Sequence, residues 1–215
     1  MPKDCIIIQG PTHDYERVAR SWENFDLIYS TWEGEEKKGY KNSDCVLFNK
    51  QPSKRGCGNI NLQIKSSLEG LKKADQKGYE FSLKWRSDYI PQNSQKFFSI
   101  LDKDKLNFIA WSTHNGGYLI DYFFAGKTKW LIEIFNETEA LNKQKPDLFP
   151  EAKITEATLK LAKSKNIDVN YILPQLNHET QCFFIREGVD FNSSCLCWKK
   201  DNYWYNNTTY CNTWP

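Results

Sequence analysis

The stretch Phe81-Ser82-Leu83-Lys84-Trp85-Arg86-Ser87-Asp88-Tyr89 decides how the chain is read. Phe81, Leu83 and Trp85 alternate with polar residues, the period of a short strand, and the run breaks into an acidic residue and a turn ending at Pro91. In an open α/β sheet, ligands lie just beyond the carboxyl ends of the strands, where loops take over from the ladder. An Asp at that point, with Arg86 and Ser87 beside it, is placed to hold a hard divalent cation next to phosphate oxygens. The plainer reading is that Asp88 caps a turn and pairs with Arg86 on the surface. The neighbouring segments favour the first.

Upstream, Cys5-Ile6-Ile7-Ile8-Gln9 is a β-branched run suited to a central parallel strand. It ends in Gln9-Gly10-Pro11-Thr12, where the glycine permits close approach of a ligand to the backbone and Thr12 can cap a helix carrying Tyr15, Val18, Ala19 and Trp22 on one face. Strands are expected over 25–31 and 44–49, with a solvated charged loop at Glu35-Glu36-Lys37-Lys38 and an irregular basic loop over 51–58. Asn59 is expected to cap a helix bearing Ile60, Ile64, Leu68 and Leu71 that stops at Gly78. The first ninety or so residues thus read strand-helix-strand-strand-helix-strand, an α/β layered domain with a largely parallel sheet. Gly-x-Gly-x-x-Gly and phosphate-loop signatures are missing, which argues against dinucleotide and P-loop folds.

Downstream, 92–101 reads as a short helix and 106–111 as a strand. Ser112 to Gly117 reads as a polar loop before a strand Tyr118-Leu119-Ile120-Asp121. Asp121, closing a strand beside a Gly-Gly loop, is a candidate general base for an acceptor hydroxyl; the alternative is that it fixes the helix bearing Trp130, Ile134 and Phe135. Glu151 and Glu156 are rival bases near the start of a helix over 154–165, where acids are also favoured by the helix dipole. His114 and His178 are secondary candidates for metal or phosphate contacts. Short strands are expected at 182–185 and 195–198, and the aromatic tail from Tyr203 to Pro215 suits sugar stacking or packing onto the body.

With 215 residues, 29 Lys+Arg against 27 Asp+Glu and 8 Trp, the chain suits one domain with a good core and carries no broad nucleic-acid or membrane footprint. No apolar run approaches the roughly 20 residues of a membrane helix, and the N-terminus lacks a signal-peptide pattern. The 7 Cys, an odd number, read mostly as free thiols in a reducing compartment, so a cytoplasmic location is expected. Cys195-x-Cys197 lacks zinc-site spacing, and the sequons at Asn136, Asn192, Asn206 and Asn207 read as chance without secretion.

Five segments follow one another in order: Gln9-Gly10-Pro11; Ser30-Thr31-Trp32-Glu33-Gly34; Asn61-x-Gln63 with Ser66-Ser67-Leu68-x-Gly70-Leu71; Lys84-x-Arg86-Ser87-Asp88; and Asp121-Tyr122-Phe123-Phe124-x-Gly126-Lys127. Their succession resembles the WavE-like lipopolysaccharide-synthesis glycosyltransferases, most closely the glycosyltransferase domains that act on chlorovirus capsid glycans, over roughly the first 130 residues. The resemblance implies a GT-A-like single α/β domain over 1–215, with a nucleotide-binding half over about 1–90, an acceptor half over about 91–215, and a metal-binding Asp motif. The chain departs from the usual Asp-x-Asp in having Arg86-Ser87-Asp88. Its abrupt end leaves open that it is the N-terminal piece of a longer protein, in a viral setting one of the host cytoplasm.

The expected activity is therefore metal-dependent transfer of a hexose or 6-deoxyhexose such as rhamnose, from a nucleoside-diphosphate sugar (UDP before GDP) to a glycan acceptor. Asp88 is the expected ligand of Mn²⁺ or Mg²⁺, which stabilises charge growing on the leaving phosphate. Gln9, Gly10 and Pro11 are expected to hold base and ribose, with Thr31 and Glu33 alongside the base. Asn61 and Gln63, at a helix N-terminus, suit phosphate; Ser87 is expected near the ribose, and Arg86 or Lys84 to add positive charge. For Asn61, ordinary capping is an equal alternative. Two rivals remain: a sugar nucleotidyltransferase, for which Gln9-Gly10-Pro11-Thr12 is a poor match, and a non-catalytic carbohydrate-binding module using the aromatic tail.

Overall fold

A computed structural model of the chain describes residues 3–11, 15–35, 45–87, 89–91, 93–113, 116–171 and 184–186. The quoted stretch forms β4 (Phe81–Arg86), and the Cys5–Gln9 run forms β1 (Asp4–Gln9) beside it in parallel register, Gln9 opposite Arg86. On the other side of β1 lie β2 (Asp26–Trp32) and then β3 (Val46–Asn49), both parallel. Beyond β4 come β7 (Gly116–Lys127), antiparallel to it, then β6 (Leu106–Thr113) and β8 (Val169–Tyr171), giving the order β3-β2-β1-β4-β7-β6-β8. A two-stranded ribbon pairs β5 (Tyr89–Pro91) with β9 (Phe184–Arg186). The architecture is the expected α/β one, a largely parallel central sheet flanked by helices and consistent with a GT-A-like domain.

Alternation along the strands sorts the chain into three layers. On one face, Phe81, Leu83 and Trp85 of β4 join Ile6, Ile8, Leu27, Tyr29 and Phe123 beneath α1 (Tyr15–Ser21) and α3 (Ser94–Ser99). Trp85 meets Trp22 edge-on at 5.1 Å and Phe97 at 5.2 Å, and stacks on Phe123 at 6.0 Å. On the other face, Cys5, Ile7, Ile28, Phe108 and Phe124 pack under α2 (Ile60–Gln76), α4 (Thr128–Gln144) and α5 (Pro150–Lys165). Gly70 lets α2 lie close on β1: a Cβ there would come 2.4 Å from Ile7 Cγ2. Burial in this layer pushes the Cys5 thiol up to about 12, so it is an inert core group. Cys5, Cys45 and Cys57 are free thiols; the later cysteines lie outside the described residues.

Four local expectations are corrected. Residues 112–113 and 116–117 are strand where the sequence predicts a loop and then a four-residue strand: β6 runs to Thr113, and β7 starts at Gly116 and continues for 12 residues. β7 pairs with β4 over 123–127 and with β6 down to Gly116, and the β6 ladder, Ser112 opposite Gly117 and Thr113 opposite Gly116, overrides the weak strand propensity of Gly116-Gly117. Asn59 does precede α2, yet its side chain makes no capping bond, because its backbone is left-handed at φ 61°. The cap of α3 is Asn93, whose Oδ1 accepts from the Lys96 amide at 2.9 Å, so that helix begins at Ser94. α5 starts early, at Pro150, which needs no amide partner in the first turn. Among the described residues no helix is long and apolar enough to cross a membrane.

Candidate functional site

Because β1, β2 and β4 are parallel, Gln9, Trp32 and Arg86 all end at the same edge of the sheet. β7 runs the opposite way, with Phe123 opposite Trp85, so Asp121 emerges beside the end of β4. An open cleft of about 360 Å³ occupies this edge. Gln9, Gly10, Pro11, Gln63, Arg86, Ser87 and Asp121 line it together with Trp32, Glu35, Gln51, Arg55, Gly58, Asn59 and Leu62.

Its floor is stitched between β1 and β4. The Ser87 amide donates to the Gln9 carbonyl at 2.9 Å, the Ser87 hydroxyl to the Pro11 carbonyl at 2.7 Å, and the Gly10 amide to the Ser30 carbonyl at 3.2 Å. Gly10 sits at φ +123°, and a Cβ there would lie 2.7 Å from Ser87 Oγ. Only glycine fits both the conformation and the space. The glycine therefore serves a close strand-to-strand crossing as well as an open approach to the cleft.

The wall is charged. Arg86 Nη1 lies 3.2 Å from each carboxylate oxygen of Asp121, and Gln63 Nε2 donates to Asp121 Oδ2 at 3.1 Å. Below them Lys84, with no exposed surface, donates from Nζ to the Asp121 carbonyl at 2.6 Å. Glu151, in the first turn of α5, feels the same pair. Burial raises its carboxyl above the usual range and the Asp121 charge adds to this, while its own backbone hydrogen bond and Arg86 oppose them. Pro150 ties that turn to the cleft, since a Cβ on Gly58 would lie 2.8 Å from Pro150 Cγ.

The sequence-derived candidates divide accordingly. Gln9, Gly10, Pro11, Gln63, Arg86, Ser87 and Asp121 come together. Thr31 does not: its side chain is on the α1 face of β2 and buried, and its carbonyl accepts from Asn49 Nδ2 at 2.8 Å. Glu33 is exposed on the following turn, outside the cleft lining, and Trp32 occupies the position between them in the wall. Asn61 turns away as well, into the groove between α2 and α4, where it bonds Asn142 and the Lys54 carbonyl. Glu156 pairs with Lys145 on the surface. Asp88, His114, His178 and the aromatic tail lie outside the described residues. The residues missed were Trp32, Glu35 and the 51–59 loop. Trp32 lay inside a quoted motif, one step out of register; for Gln51 and Arg55 the basic character of their loop was the one signal.

Among the described residues there is no group of three or more His, Cys, Asp or Glu side chains suited to a metal. Both Asp121 oxygens are engaged by Arg86, and one also by Gln63, so this carboxylate is organised as an anion partner for a guanidinium.

No protein-family model matches the chain, and no curated protein matches it. Among solved structures it is similar to a "putative nucleotide-diphospho-sugar transferase" from Desulfovibrio desulfuricans G20, at 13% identity and a TM-score of 0.45, over 80% of each chain. An overlap that loose carries no functional argument by itself.

Proposed function

We propose that the chain is a nucleotide-sugar transferase, taking a hexose or 6-deoxyhexose such as rhamnose from a UDP-sugar to a glycan hydroxyl. One observation carries this reading. Four segments far apart in sequence, 9–11, 63, 86–87 and 121, converge on one cleft at the carboxyl ends of parallel strands, where α/β sheets bind nucleotides. They are also drawn from four of the five ordered segments that resemble the WavE-like and chlorovirus enzymes.

In this reading the backbone of Gln9-Gly10-Pro11 faces base and ribose, with the Trp32 ring beside them. Arg86 meets the diphosphate. A guanidinium that leaves a carboxylate for a phosphate keeps its charge-assisted bonds, and Asp121 is released as Arg86 turns. The freed carboxylate accepts the proton of the acceptor hydroxyl while its oxygen bonds the anomeric carbon and the nucleoside diphosphate departs. Asp88, adjacent to Ser87, is the proposed holder of Mn²⁺ or Mg²⁺, which supplies Lewis-acid stabilisation of the departing phosphate.

Calorimetric titration of UDP and GDP with and without Mn²⁺, on wild type and Asp88→Ala, tests this. UDP binding that depends on metal and is lost in the variant supports the reading. Failure to bind any nucleotide overturns it and turns attention to glycan binding by the aromatic tail.

A further inference from the structure

Beneath the rim of the cleft runs a polar relay that the reaction above does not use. Lys153 of α5 has no exposed surface, and its Nζ donates to Asn142 Oδ1 at 2.6 Å and to the Pro146 carbonyl at 3.1 Å. Asn142 Nδ2 donates to Asn61 Oδ1 at 2.6 Å. Asn61 Nδ2 donates to the Lys54 carbonyl at 2.9 Å, and the Asn61 amide to the Arg55 carbonyl at 3.0 Å. Arg55 lines the cleft.

The relay has a direction. An ammonium only donates, so Lys153 requires the oxygen of Asn142 and turns the amide nitrogen of Asn142 outward. That nitrogen requires the oxygen of Asn61, which in turn aims its nitrogen at Lys54. Each side chain is oriented by the one before it, and Asn61 holds two successive loop carbonyls, that of Lys54 through its side chain and that of Arg55 through its own amide. Gly56 and Gly58 sit at φ +73° and +55°, a region glycine adopts readily and other residues rarely, so the course of the loop depends on contacts such as these and the approach of Gly58 to Pro150. A wholly buried ammonium is costly, and burial accordingly lowers the lysine's proton affinity. An apolar side chain of similar length would fill the same volume without that cost.

We propose that Lys153 is a positioning residue which, through Asn142 and Asn61, holds the 54–56 loop so that the Arg55 guanidinium meets the diphosphate of a bound nucleotide sugar. This rests on the nucleotide-sugar reading of the cleft. It also gives Asn61 a role one step removed from the ligand.

The test is a double-mutant cycle on the full chain, reading affinity for UDP and for inorganic pyrophosphate in wild type, Lys153→Met, Arg55→Ala and the pair. The variant Asn61→Ala cuts the same relay without touching the buried charge, should Lys153→Met fold poorly. The expected result is a loss of about tenfold for each single variant, as for one charge-assisted hydrogen bond, and no further loss when either is added to Arg55→Ala. Faster hydrogen exchange of the Asn61 amide should accompany both relay variants in the ligand-free protein. Equal losses with and without Arg55, or unchanged affinity and exchange, overturn the relay while leaving the cleft reading standing. A wild type that binds neither probe overturns the cleft reading and, with it, the role given to Arg55.

Discussion

The two faces of β4 divide the labour of one six-residue strand. Phe81, Leu83 and Trp85 look toward α1 and α3 and are buried among aromatic rings. Ser82, Lys84 and Arg86 look the other way, and they form a rising series. Ser82 is sealed in the core, sharing hydrogen bonds with Cys5 and Thr128. Lys84 is buried but reaches the Asp121 carbonyl, and Arg86 opens into the cleft against the Asp121 carboxylate. One face spends its atoms on burial, the other on aiming charge toward the carboxyl edge. Stability and binding should therefore separate between adjacent residues.

The sharpest way to break that comparison is at Trp85. Trp85→Ala removes a fully buried ring with three aromatic neighbours, and should cost about 3–5 kcal/mol, read as a drop in the denaturant midpoint. A cost under about 1 kcal/mol would mean the aromatic face is not the fold's anchor. Gly10→Ala tests the seam between the faces. Forcing a Cβ to 2.7 Å from Ser87 Oγ at φ +123° should cost about 1–3 kcal/mol and weaken nucleotide binding together, because the same stitch closes the core and shapes the cleft floor.

This division explains what the sequence could reveal. The alternation of 81–86 and the β-branched run at 5–9 are local signals, and they lead directly to the parallel sheet and to Arg86 and Ser87 at its edge. Gln63 and Asp121, 58 residues apart, meet because the first turn of α2 and the middle of β7 reach the same edge; the helix start is a local signal, whereas the sequence ends the Asp121 strand six residues early. Parity on β2 was harder. Thr31 lies on the face packed under α1 and Glu33 on the exposed turn past the strand, while the side chain between them, Trp32, is the one in the wall. Slipping one residue exchanges every inside position for an outside one. The 51–59 loop was beyond reach for another reason: its shape is set by three residues at positive φ, Gly56, Gly58 and Asn59, and by a hydrogen-bond chain from α5 through α4 to Asn61 of α2 that no local pattern encodes.

Arg86→Met sharpens the comparison from the polar face. The side chain is partly exposed, so stability should move by no more than about 1 kcal/mol. UDP affinity should fall about tenfold or more, since a guanidinium facing the diphosphate is removed. Equal effects on stability and binding would merge the two faces into one structural unit.

Glu151 gives the smallest effect and the one with a defined pH signature. An unfolded chain titrates this carboxyl near its ordinary value of 4.5, whereas burial and the Asp121 charge make the folded protein hold the proton to higher pH. Across the interval above 4.5 the folded state therefore binds more protons than the unfolded one, and stability falls as pH rises through it. Below the interval both states are protonated and nothing is lost; above it both are ionised and the full penalty of a charged carboxylate beside Asp121 is present. Glu151→Gln removes the ionisable group and keeps the shape. Urea midpoints of variant and wild type should nearly coincide at about pH 4 and separate at about pH 8, with the variant the more stable. Adding Arg86→Met should widen that separation, because the guanidinium opposes the upward shift from the cleft side. A gap of the same size at both pH values would mean that Glu151 acts through packing at the start of α5, and that the charge of Asp121 does not reach across the cleft wall.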